Sequence, residues 1–245
     1  MKSFISKEDD LNRDVVVLNE AVPFVTDRYR LLFAKIDLIC RKEEKKIVAF
    51  TSAIKGEGKT TTTSNLAVVS ARDFGKRVLV IDGDYKNPSL AKSFGVQDNI
   101  GLVNVVEKEC SFSSAVIEGP VKNLSLLTMG RQSIQGRSQS ELNGYTHIWT
   151  ENGIISVLNE VRGLFDYIWV DAPPILPLFD MSMISEAVDG IVLVVKTGET
   201  PEAVLTQAVK TLGSKKVIGS VLNRAKTSWK YGYDRYRYEY DQDNH

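Results

Sequence analysis

The sequence is poor in the residues from which disulfide frameworks and metal knuckles are built. Its only cysteines are Cys40 and Cys110, and its only histidines are His147 and His245. Neither type forms a second pair, which argues against a cystine scaffold and a zinc site and leaves free thiols in a reducing compartment. A surplus of charge is missing too, since 31 Lys and Arg balance 31 Asp and Glu. Composition therefore gives no reason to bind nucleic acid or an anionic membrane, and no nucleic-acid partner is expected. Long apolar runs are also absent. The longest, Val78–Ile81 and Ile191–Val195, fall far short of the roughly 18 residues a membrane span needs. The first residues are polar and acidic, unlike the apolar core of a signal peptide. The expected location is cytoplasmic, with any membrane contact made through a partner.

What is present suits an ordinary globular protein. With 245 residues, 43% hydrophobic and 25% charged, the chain can bury a substantial core in one large or two small domains. Short apolar runs alternate with segments of helical period. Strands are expected at Ile47–Thr51, Arg77–Asp82, Leu124–Thr128, Tyr167–Asp171, Ile191–Val195 and Val217–Leu222. They are apolar at consecutive positions, as in parallel strands covered on both faces. The clearest helix runs from Thr200 as N-cap, through Pro201, to Gly213 just past its end. Val204, Leu205, Ala208, Val209 and Leu212 give it one apolar face. Such alternation predicts an α/β fold, three layers with a mainly parallel central sheet flanked by helices. Residues 1–24 read as a leader, 25–225 as a nucleotide-binding domain, and 226–245, polar and aromatic without aliphatics from Thr227 onward, as a flexible tail.

The chemistry starts where the first of these strands ends. Ala53-Ile54-Lys55-Gly56-Glu57-Gly58-Lys59-Thr60 joins that strand to a helix expected from Thr61 to about Asp73. Gly56 and Gly58 let backbone amides turn inward around phosphate oxygens, and the helix N-terminus adds its positive end. Lys59 would bridge the β- and γ-phosphates, and the Thr60 hydroxyl would ligate Mg²⁺. The span Lys55 to Thr61 is thus the candidate nucleotide site, with ATP and Mg²⁺ as the implied ligands. Two more strands deliver acids to their carboxyl ends, where parallel sheets present ligands. They are Asp82-Gly83-Asp84 and Asp171, the latter followed by Ala172-Pro173-Pro174. Carboxylates there can hold Mg²⁺ or accept a proton from an incoming hydroxyl.

Taken together, Gly56-Glu57-Gly58-Lys59-Thr60, the Asp82-Gly83-Asp84-Tyr85-Lys86-Asn87-Pro88 run and Asp171-Ala172-Pro173-Pro174 resemble the bacterial tyrosine kinases of capsule and exopolysaccharide synthesis. The resemblance extends from about Asp27 to Asn223. It implies a P-loop NTPase fold related to the MinD/ParA group, with protein-tyrosine kinase activity on ATP. Lys59, Asp82 and Asp84 would be catalytic, Thr60, Asp82 and Asp171 would hold the metal, and Asn223 would read the adenine edge. The family's tyrosine-rich, autophosphorylated tail has a counterpart in Tyr231, Tyr233, Tyr236, Tyr238 and Tyr240, five of the chain's nine tyrosines. The resemblance further implies a membrane-anchored polysaccharide co-polymerase as activator in trans, which would hold the protein at the inner face of the plasma membrane.

The chain departs from the family at two places. Lys86 stands where an arginine is usual, which keeps the charge but loses the bidentate fork. In the family's Glu-x-x-Arg-x-x-Arg helix, which joins subunits into a ring, this chain has Asp27, Arg30 and Phe33. Self-association is expected, with the size of the oligomer left open by Phe33. Two other readings stay open. One is a MinD/ParA-like ATPase switch, although the signature lysine of that group would fall at Ile54 and Lys55 is one position late. The other is a non-catalytic nucleotide-binding co-polymerase subunit.

Overall fold

A computed structural model describes residues 15–19, 23–130, 148–176, 180–212 and 216–225. The leader before residue 15, Gly213, residues 131–147 and the tyrosine-rich tail lie outside the described residues.

Helix α1 (Pro23–Lys42) leads into β1 (Ile47–Ser52), and α2 (Lys59–Arg72) follows the phosphate loop. Strand β2 (Val78–Asp82) is followed by α3 (Leu90–Phe94), α4 (Leu102–Val106) and α5 (Phe112–Ala115). A hairpin of β3 (Ile117–Glu118) and β4 (Leu124–Leu127) comes next. Then come α6 (Ser156–Val161), β5 (Tyr167–Asp171), α7 (Asp180–Ala187), β6 (Gly190–Lys196), α8 (Glu202–Leu212) and β7 (Val217–Asn223).

The seven strands form one sheet in the order β3-β4-β2-β5-β1-β6-β7. Every pairing is parallel except that of β3 with β4. The six expected strands are all present within a residue or two of their predicted ends. The two-residue β3 is too short to carry a periodic signal and was not expected. Consecutive apolar residues serve the two faces in turn, because strand side chains alternate. Ile47, Ala49, Leu79, Ile81, Ile168, Val170, Ile191 and Leu193 pack on one face, with contributions from α6, α7 and α8. Val48, Phe50, Val78, Val80, Tyr167, Trp169 and Val192 pack on the other, beneath α1 and α2. Val15 and Val17 join that second core, where Asn65 accepts the Val17 N–H at 3.0 Å and Arg72 donates to the Val17 carbonyl at 2.8 Å. Residues 15–19 are thereby packed on α2.

Thr200 does not cap α8. That helix begins at Glu202, and the Pro201 carbonyl accepts its first bonds, from the N–H groups of Val204 and Leu205. The Thr200 hydroxyl is instead donated to Glu57, a residue of the phosphate loop. Tertiary demand has taken a side chain that local propensity would have spent on the cap. Among the described residues no helix is long and apolar enough to cross a membrane.

Candidate nucleotide and metal site

Three parallel neighbours, β1, β5 and β2, end side by side, so the loops that leave them share one edge of the sheet. After β1 the backbone turns through Gly56 and Gly58, both at positive φ (88° and 90°), before α2 starts at Lys59. Gly58 is needed on two grounds. Its φ is left-handed, and a Cβ there would fall 2.1 Å from the Asn223 side-chain nitrogen. Lys59 is buried at the helix start, and Thr60 and Thr61 follow it half-buried.

Strand register sets the acids. Asp82 and Asp171 are direct partners across the β2–β5 ladder, one strand spacing apart. Gly83 lets the chain pass close by, since a Cβ there would meet the Trp149 ring at 2.9 Å and the Asp171 carbonyl at 3.0 Å. Asp82, Asp84 and Asp171 are all buried, and so is Lys59 beside them. Burial raises the Asp171 carboxyl to about 6, while the charge of Lys59 and the Thr60 hydroxyl pull it down and Asp84 pushes it up. Asp82 is held well above the ordinary carboxylate range, first by burial and then by the charge of Asp171. The N–H groups of Leu90 and Ser89 counter that rise.

The hydrogen bonds show what each acid has left to offer. Asp171 accepts the Thr60 hydroxyl on Oδ2 at 2.6 Å, while its Oδ1 is buried with no hydrogen-bond partner. An orphaned carboxylate oxygen beside a P-loop threonine fits a hard cation, which would supply the missing partner. Among the described residues no three His, Cys, Asp or Glu side chains converge as a protein-only cage. A Mg²⁺ here would complete its shell with phosphate oxygens and water, as that ion commonly does. Asp82 is more committed. Its Oδ2 accepts the N–H groups of Ser89 and Leu90 at 2.9 Å each, and its Oδ1 accepts that of Asp84 at 3.3 Å. It therefore pins the loop that follows β2. Asp84 folds the same loop by accepting the Asn87 N–H at 3.1 Å.

Two residues that sequence reasoning passed over also reach the site. Ser89 Oγ lies 2.9 Å from Thr60 Oγ1, and Asn87 Oδ1 accepts Lys55 Nζ at 3.0 Å. Lys55 thus bridges the loop after β1 to the loop after β2. Lys86 places its ammonium 5.3 Å from the centre of the Tyr85 ring. Asn223, at the end of β7, donates from Nδ2 to the Glu57 carbonyl at 2.9 Å and accepts the Arg224 N–H on Oδ1 at 2.8 Å. Lys59, Thr60, Asp82, Asp84, Asp171 and Asn223 are thus gathered at one edge of the sheet. The five tail tyrosines lie outside the described residues.

A family profile described as an AAA domain matches residues 45–220. The chain is 32% identical over 227 residues to the tyrosine-protein kinase YwqD of Bacillus subtilis, covering 91% of this chain and 92% of that one. It is 27% identical over 252 residues to the succinoglycan biosynthesis transport protein ExoP of Rhizobium meliloti, covering 96% of this chain but 31% of the relative. Among solved structures, the fold matches the kinase domain of the Escherichia coli tyrosine kinase ETK with a TM-score of 0.74 at 22% identity, over 95% of this chain and 89% of that one. It also matches the septum site-determining protein MinD of Pyrococcus horikoshii, solved with Mg-ADP, with a TM-score of 0.59 at 25% identity over 75% and 72% of the two chains.

Proposed function

The chain belongs to the bacterial tyrosine-protein kinase family within the AAA-domain group, and from that premise we propose that it is an ATP-dependent autokinase phosphorylating its own tail tyrosines. The observation that carries this reading is the second acidic strand end. Asp82 and Asp84 stand beside Asp171 and Thr60 in a cluster larger than a P-loop needs for nucleotide binding alone. The kinase unit spans 25–225, preceded by the leader and followed by the tail.

Phosphoryl transfer asks a protein for alignment and for neutralisation of developing charge. Lys59 and the amides of Lys55 to Thr61 would hold the β/γ region of ATP, and Asn223 is proposed to read the adenine edge. Thr60 and Asp171, with Asp82 behind them, would hold Mg²⁺, which when bound would offset charge on the phosphate oxygens. A tyrosine phenol, with a pKa of about 10, is almost wholly protonated at neutral pH. As its oxygen bonds to the γ-phosphorus and the bond to ADP breaks, Asp84 or Asp82 takes the phenolic proton. Tyr231, Tyr233, Tyr236, Tyr238 and Tyr240 are the acceptors. Each phosphate adds roughly −1.5 to −2 charges, which would expel a docked tail and switch assembly. A role in polysaccharide synthesis, a membrane-anchored activator in trans and a position at the inner membrane face belong to the same proposal, supported by the likeness to a succinoglycan biosynthesis transport protein.

The test is direct. Purified chain incubated with Mg-ATP gains phosphate on the tail, read by intact mass and a phosphotyrosine antibody. K59M and D82A do not. A tail that stays unmodified with and without a membrane activator peptide would overturn the proposal, and phosphate on K59M would expose a contaminating kinase.

A further inference from the structure

Glu57 is a carboxylate inside the phosphate loop, only 1% exposed. Its Oε2 accepts the Ile54 N–H at 2.9 Å. Its Oε1 accepts the Lys196 N–H at 3.2 Å and the Thr200 hydroxyl. Its carbonyl accepts the Asn223 side-chain amide at 2.9 Å. One residue of the loop is thus bonded within the loop, to the end of β6, to the turn after β6 and to the end of β7.

The loop has a mechanical reason to need such a tie. Two glycines at positive φ make it the least constrained stretch of the site, and α2 fixes only its downstream end. A cradle works when its amides are set before the phosphate arrives. The Ile54 bond draws that N–H onto the carboxylate and fixes the upstream half. The bonds to Lys196, Thr200 and Asn223 then fix the loop against the strands. A buried carboxylate beside a polyphosphate site also carries a cost from like-charge repulsion, offset by its three donors.

We propose that Glu57 is a positioning residue that ties the phosphate loop to the chain leaving β6 and β7, so that the cradle is held in shape from the β6–β7 side of the site. The proposal rests on the reading that the loop holds ATP. All three donors to the carboxylate are N–H or O–H groups, so glutamine cannot substitute. Its NH₂ would face a donor on one side while its single oxygen served the other. If repulsion were the larger effect, glutamine would instead strengthen binding.

The experiment measures the dissociation constants of Mg-ATP and Mg-tripolyphosphate on the full chain by calorimetry, with tail phosphorylation kinetics alongside. E57Q is expected to weaken both ligands about tenfold, the scale of a lost charge-assisted hydrogen bond. The KM for ATP should carry the loss, with kcat within about threefold at saturating ATP. T200V, which removes a single donor, is expected to weaken both about threefold, and T200S to restore binding. Wild-type affinity or tighter binding in E57Q, with T200V unchanged, overturns the tie. If E57Q fails to fold, T200V and T200S decide by the same criterion. A wild-type chain that binds neither ligand overturns the ATP reading itself, whereas normal wild-type binding with unaffected variants overturns the tie alone.

Discussion

The two edges of the parallel sheet treat their acids in opposite ways. Where the strands begin, each acid meets its complement. Asp189 accepts the N–H groups of Lys46 and Ile47 at 2.8 and 2.9 Å, with Arg162 at 3.0 and 2.9 Å. Burial pushes its carboxyl up, but Arg162 and the two N–H groups outweigh that and hold it below the ordinary range. Asp166 is lowered by Arg77, and Asp37 accepts the Tyr167 hydroxyl at 2.5 Å with Arg41 at 2.8 Å. Where the strands end, Asp82 and Asp171 are raised, and one carboxylate oxygen has no partner. One edge is built to be stable as it stands. The other stores unfavourable negative charge that a bound cation would offset, the usual trade between stability and function.

The contrast can be broken most severely at Lys59. K59M should lower tail phosphorylation by about a thousandfold or more, read as phosphotyrosine per mole of chain. At the opposite edge, D189N should leave nucleotide affinity per folded molecule intact but cost about 2 kcal/mol in urea unfolding, because Arg162 and two N–H groups lose their charged partner. The sign with pH follows from the lowered carboxyl. The stabilisation is fully present above the unfolded pKa of about 4 and is lost as pH falls through the folded value. The gap between wild type and D189N should therefore close in acid. At the ligand edge, neutralising a charge should help the fold. D171N, which keeps an oxygen for the Thr60 hydroxyl and puts its NH₂ where Oδ1 has no donor facing it, should stabilise protein stripped of nucleotide and metal by about 1 kcal/mol while impairing phosphorylation. The smallest effect belongs to the exposed Arg77–Asp166 pair, where R77A should leave the urea midpoint unchanged within error.

Much of this was legible in the sequence. The strands announced themselves because burial on both faces leaves no alternation, and a strand that ends in Asp82 or Asp171 necessarily delivers that acid to the ligand edge. The phosphate loop was legible because its glycines and Lys59 are adjacent in the chain. The tie through Glu57 was not, since its partners at Lys196 and Asn223 stand 139 and 166 residues away and only the sheet order brings them together. Thr200 misled for the same reason, its local role as a cap having yielded to a distant carboxylate. Ser89 carried no signal of its own until Asp82 was seen to gather the loop around it.

The position of Phe33 bears on how assembly can be engineered. The ring is 1% exposed, 4.5 Å from the ring of Phe74 and 5.9 Å from that of Tyr167, centre to centre. Arg30, its neighbour one turn back, is bonded to Asp27 at 2.9 Å and to Asp73 at 2.7 Å within the same chain. Transplanting an arginine to position 33 would therefore drive a guanidinium into an aromatic seam instead of offering it to another subunit. An assembly graft aimed at this helix has to start from its outward side, and a failed F33R variant would report on folding before it reported on rings.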